Sequence, residues 1–132
     1  MKIKRWVGEM VITVMWFVLT SCASTTQGVL SSQSQYIEVF RACIQAANEA
    51  DFGVTSSDSN AGLIFAEQNT TMGVKVVRMN ITVKKVNSGT QVEVGIVPPP
   101  GTTGSTKAIF DQFTVALTSK VADVKVISVS GK

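Results

Sequence analysis

An apolar run from Met10 to Leu19 follows the cations Lys2, Lys4 and Arg5 and gives way to Thr20, Ser21 and Cys22. Positive charge, a short apolar core and a small-residue exit, in that order, form the pattern of a secretory leader. The run is too short for a permanent helical span, which needs about 20 apolar residues. Residues 1–21 are therefore expected to be cleaved, and whatever folds must be built from Cys22 onwards. What is left of the 132 residues suffices for one domain.

Leu19-Thr20-Ser21-Cys22 resembles the lipobox of bacterial lipoproteins, in which an aliphatic residue and two small residues precede an invariable cysteine. The resemblance implies that the Cys22 sulfur receives a diacylglycerol, that the leader is cut before it, and that the new amine is acylated. Two or three acyl chains hold a protein stably where one is marginal. The next residues are Ala23 and Ser24, not the aspartate of an inner-membrane retention signal. By the same resemblance, the protein is expected at the outer membrane, on its periplasmic face, with the membrane as its first partner.

Removing the leader takes away three bases and one acid, so that nine bases face eight acids in the remainder. The basic balance of the whole chain thus belongs to the leader. A nucleic-acid partner is not expected, because it would need a concentrated basic surface. The adjacent pair Lys84-Lys85 reads as a solvated hairpin end.

The chain has no histidine, which excludes Ser-His-Asp and Cys-His catalysis and histidine-based zinc sites. Lipidation would occupy Cys22, leaving Cys43 alone on an apolar helix face, where a thiol behaves as a small hydrophobe. The mature acids are scattered, and Asp58-Ser59-Asn60 reads as a polar turn. The expectation is a non-enzyme without metal or cofactor.

Ala23 to Ser31 is small and polar apart from Val29-Leu30, and residues 22–31 read as a flexible tether before a domain of residues 32–132. From Ser32 to Ala50, Tyr36, Val39, Phe40, Cys43, Ala47 and Ala50 recur on one face at helical spacing, and Ser32-x-x-Gln35 has the form of a capping box. Phe52 to Thr55 and Leu63 to Glu67 read as strands about a polar loop. Gly73 to Val86 is a longer strand, with Met79, Ile81 and Val83 alternating with Asn80, Thr82 and Lys84. Asn87-Ser88-Gly89 turns the chain into a strand carrying Val92, Val94 and Ile96 inward. Pro98-Pro99-Pro100 stops that ladder. A second helix is expected over Lys107 to Ala122, capped by Ser105, and a closing strand over Val124 to Val129.

The order α-β-β-β-β-α-β implies an α+β fold: one antiparallel sheet of four or five strands with two helices on one face. At the level of element order this resembles the helix-grip domains of envelope lipoproteins, such as the lipoprotein partner in the β-barrel assembly machinery. The expected function is a membrane-anchored, non-catalytic envelope module that binds another protein. The alternative is a small-ligand or lipid binder with a cavity between helices and sheet, lined by Phe40, Phe65, Met79, Phe110 and Phe113.

Overall fold

The computed structural model describes residues 25–68, 76–99, 106–121 and 123–130. Their fold is α+β. Strand β1 (Thr26–Ser32) leads into helix α1 (Tyr36–Glu49), followed by strands β2 (Phe52–Asp58), β3 (Leu63–Gln68), β4 (Arg78–Val86) and β5 (Gly89–Val97). Helix α2 (Lys107–Lys120) and strand β6 (Lys125–Ser130) complete the order. The strands form one six-stranded antiparallel sheet in the order β2-β3-β4-β5-β1-β6. Both helices pack on the same face, α1 against β2, β4 and β5 and α2 against β1 and β5.

The alternation read in β4 and β5 is the alternation found. Met79, Ile81, Val83, Val92, Val94 and Ile96 are buried under the helices, with Ile81 opposite Val94 and Val83 opposite Val92. The buried face of α1, against the sheet and α2, is Val39, Phe40, Ala42, Cys43, Ala46 and Ala47. Four of these six are small, which lets the helix approach closely enough for the larger side chains of sheet and α2 to meet around it. Phe110, Phe113 and Leu117 are the buried face of α2.

Three expectations are corrected. The segment 22–31 is not a tether throughout, because Thr26–Ser32 is a strand between β5 and β6. That strand raises the sheet to six, not four or five, and moves the start of the domain from Ser32 back to Thr26. The capping box does not form. Ser32 belongs to β1, where its Oγ accepts from the Ser34 N–H at 3.1 Å, and α1 opens at Tyr36 behind an uncapped Gln35. The chain leaves α1 through Asp51, which adopts a left-handed φ of 71°. The expected cap Ser105 and the start of the long strand, Gly73 to Lys75, lie outside the described residues.

Asp58 organises the β2–β3 turn: its Oδ1 accepts from the Asn60 and Ala61 N–H groups at 2.9 and 3.2 Å. Gly62 closes that turn at φ 74°, donating to the Asp58 carbonyl at 2.8 Å. Its own carbonyl accepts from the Val83 N–H at 2.7 Å, and a Cβ here would overlap the Val83 carbonyl, so both space and conformation require glycine.

Candidate interaction surface

Cys22 lies outside the described residues, whose first member is Thr25. Cys43 is fully buried on the inner face of α1, and desolvation pushes its thiol up to about 12. It is a core thiol with no thiolate to offer at neutral pH. Unfolding returns it to its ordinary value of 9.0. Above about pH 9 the unfolded chain gives up this proton while the folded chain keeps it. Its contribution to stability is therefore complete below that pH and falls as pH rises toward 12, by up to about 1.4 kcal/mol per pH unit. Denaturant melts across that range should show a shallower alkaline loss in Cys43→Ala than in the wild type. Parallel curves would show that the thiol is not held neutral.

The five residues expected to line an internal cavity do not come together. Phe40, Met79, Phe110 and Phe113 belong to the closed core. Phe65 points to the opposite, uncovered face of the sheet and is 41% exposed. Pairing sets this phase: Ile64 lies opposite Ile81 and Ala66 opposite Met79, so Leu63 and Phe65 must turn outward. Where α2 meets β1 the Phe110 ring lies directly on Gly28, leaving no room even for a methyl group.

Clefts exist on the surface instead. An open one of about 630 Å3 lies between the C-terminal end of α1 and the outer side of α2, lined by Glu49, Asp51, Asp111, Gln112, Val115 and Ser119. Its carboxylates are partly committed: Glu49 pairs with Lys120 at 2.7 Å and Asp111 with Lys107 at 3.8 Å. No group of three metal-ligating side chains converges among the described residues. A smaller groove of about 450 Å3 runs over the uncovered face of the sheet along Gln27, Val29, Asn80, Thr82, Glu93 and Gly95.

The feature with most to offer a macromolecule is β6. It pairs with β1 on one side only and ends the sheet. All six of its residues are exposed, including Val126 (48%), Ile127 (61%) and Val129 (37%). Val126 stands opposite Leu30 and Val129 opposite Gly28, so both point to the helix side, beyond the strands that α2 covers. The register shifts at Ile127, which is skipped between Val126 and Ser128, leaving it as a bulge. The opposite edge differs. β2 breaks register between Val54 and Ser56 and continues as Ser56-Ser57-Asp58, a polar and interrupted border. Native sheets blunt their edges with charge, proline or bulges, and β6 has a bulge, a lysine at its start and an apolar row. Sequence reading found the strand but not its openness, because nothing in Lys125-Val126-Ile127-Ser128-Val129-Ser130 distinguishes an edge from an interior strand.

The sequence matches no protein family and no curated protein. Among solved structures, that of protein CV1439 from Chromobacterium violaceum, a structural genomics target, is similar. It is 12% identical, with a TM-score of 0.48, over 74% of this chain and 96% of that one.

Proposed function

We propose that this chain is a non-catalytic lipoprotein of the bacterial envelope, anchored by lipid on Cys22 at the periplasmic face of the outer membrane, whose domain binds a partner protein. The open β6 edge carries this reading. Its outward backbone N–H and C=O groups have no strand opposite them among the described residues, and Val126 and Val129 add an apolar row beside them. An extended segment of another envelope protein fits that edge. Added as a further antiparallel strand, it would gain main-chain hydrogen bonds and place alternate apolar side chains against the valines. On this reading the fold is helix-grip-like, with two helices on one face of the antiparallel sheet and the other face and the edges left for recognition. The cavity-binding alternative draws no support from a core in which Phe110 rests on Gly28.

The test is affinity purification of the lipidated protein from membranes, with an unlipidated Cys22→Ala control. The wild type should enrich a partner, and Val126→Lys with Ile127→Lys should lose it. The substitutions lie at exposed positions and should shift stability by no more than about 0.5 kcal/mol each. Enrichment of nothing above the control, or a partner retained by the charged variant, would sink the proposal.

A further inference from the structure

The strand β1 begins four residues after Cys22, and this fixes how far the domain can stand from an anchoring lipid. Thr25 is three residues beyond Cys22, and a fully extended chain covers at most about 3.6 Å per residue, or roughly 11 Å in all. Thr26 is already locked into the sheet, opposite Ile96 and with its hydroxyl bonded to that of Thr106. The leash is therefore shorter than the sheet is long, since the seven residues of β1 extend about 23 Å.

We infer that the end of the domain at which β1 starts is a bilayer-facing surface, resting on the phospholipid headgroups into which the Cys22 acyl chains insert. The inference rests on the lipoprotein reading above. Several elements meet at this end. β5 leaves through Val97, Pro98 and Pro99, β4 enters at Val77 and Arg78, β6 finishes at Ser130, and α2 starts at Lys107. Val97 is exposed, and Val77, Pro98 and Pro99 are half-buried, so the described residues at the ends of β4 and β5 offer apolar atoms here. Arg78 and Lys107 flank them. Their ion pairs to Glu67 and Asp111 are long, 3.7 and 3.8 Å, and exposed. Such pairs are worth little, so the Arg78 guanidinium can turn to a lipid phosphate at small cost. The β4–β5 hairpin at Asn87-Ser88 and the β2–β3 turn lie at the other end of the strands, pointing into the periplasm. β6 then stands upright with its open edge running away from the membrane.

The experiment uses the lipidated protein in vesicles of phosphatidylethanolamine and phosphatidylglycerol containing a headgroup-nitroxide lipid. A fluorophore is placed in turn at Ser130→Cys, Lys107→Cys and Asn87→Cys. Labelling is selective, because a lipidated Cys22 has no free sulfur and Cys43 is buried. Probes at Ser130 and Lys107 should be quenched severalfold more than the probe at Asn87. Inserting about 20 Gly and Ser residues between Ser24 and Thr25, a spacer of roughly 25 Å root-mean-square span, should erase the difference. The intact mass of the membrane-extracted protein separates the two ideas. An unmodified Cys22 overturns the anchor and the orientation together. A diacylated Cys22 with equal quenching at both ends, or stronger quenching at Asn87, overturns the orientation alone.

Discussion

A fragment starting at Gln33 is expected to show no cooperative thermal transition, whereas one starting at Thr25 should melt cooperatively. The difference is eight residues that look dispensable, seven of which form a strand in the interior of the sheet. β1 pairs along its whole length with β5 and over most of it with β6. Removing it deletes both ladders, exposes the edge of β5, leaves β6 with nothing to pair with, and uncovers Phe110, which rests on Gly28. Leu30 is fully buried, and its loss alone removes about 1.5–3 kcal/mol. With the ladders added, the loss exceeds the roughly 5–15 kcal/mol that holds a domain of ordinary stability together. Far-ultraviolet circular dichroism against temperature makes the comparison. Cooperative melting of the shorter fragment would show that α1 and the other strands form a self-sufficient core.

The second large effect is expected at Gly28. A Cβ at this position overlaps Cε2 and Cζ of Phe110, which is itself fully buried and cannot swing aside. Ordinarily, replacing glycine within a strand by alanine gains about 0.5–1 kcal/mol of chain entropy. Overpacking a tight core costs about 1–3 kcal/mol, so here the clash outweighs the gain. Gly28→Ala should therefore lower the melting temperature, and Gly28→Val should lower it further. Phe110→Leu in the same chain should recover part of the loss, with a coupling of about 0.5–3 kcal/mol in a double-mutant cycle. Gly95 supplies the contrast. A Cβ there meets only the Asn80 carbonyl oxygen, at 3.9 Å, so Gly95→Ala should leave stability unchanged or slightly raised. Equal destabilisation at the two glycines would mean that backbone freedom, and not the Phe110 contact, is what Gly28 provides.

These two sites also mark where sequence reading succeeds and fails. β4 and β5 are legible because burial there is carried by large apolar side chains at every second position, the signal that strand periodicity depends on. α1 is legible because its apolar positions recur at helical spacing over four turns. β1 is hidden because its inward positions are Thr26, Gly28, Leu30 and Ser32, of which only Leu30 is apolar and large. Each of the others is satisfied by something distant in sequence or by local backbone. Thr26 has the Thr106 hydroxyl, Gly28 has the Phe110 ring, and Ser32 has the Ser34 N–H. A hydrophobicity pattern cannot register a glycine whose value lies in having no side chain. Phe65 fails for a related reason. Leu63-Ile64-Phe65-Ala66 is apolar in both phases, and the choice falls to Ile64 and Ala66 through their partners in β4. Of the candidate surface, the strand β6 was visible and its exposure was not, since exposure depends on where α2 stops covering the sheet.

The position of β1 has a further consequence, for the order in which the molecule is assembled. Its partners lie far along the chain: Thr26 meets Ile96, and Gln27 meets Ser130. Contacts of such long sequence separation close late and slowly, because the loop entropy must be lost before any pairing repays it. The hairpins β2–β3 and β4–β5 are local and can form early. Whether the chain emerges from a ribosome or through a membrane pore, the segment that comes out first cannot reach its place until β5 and β6 have followed. Completion of the sheet then waits on the last strand made, and the end of the domain at which β1 starts is the last part to become native.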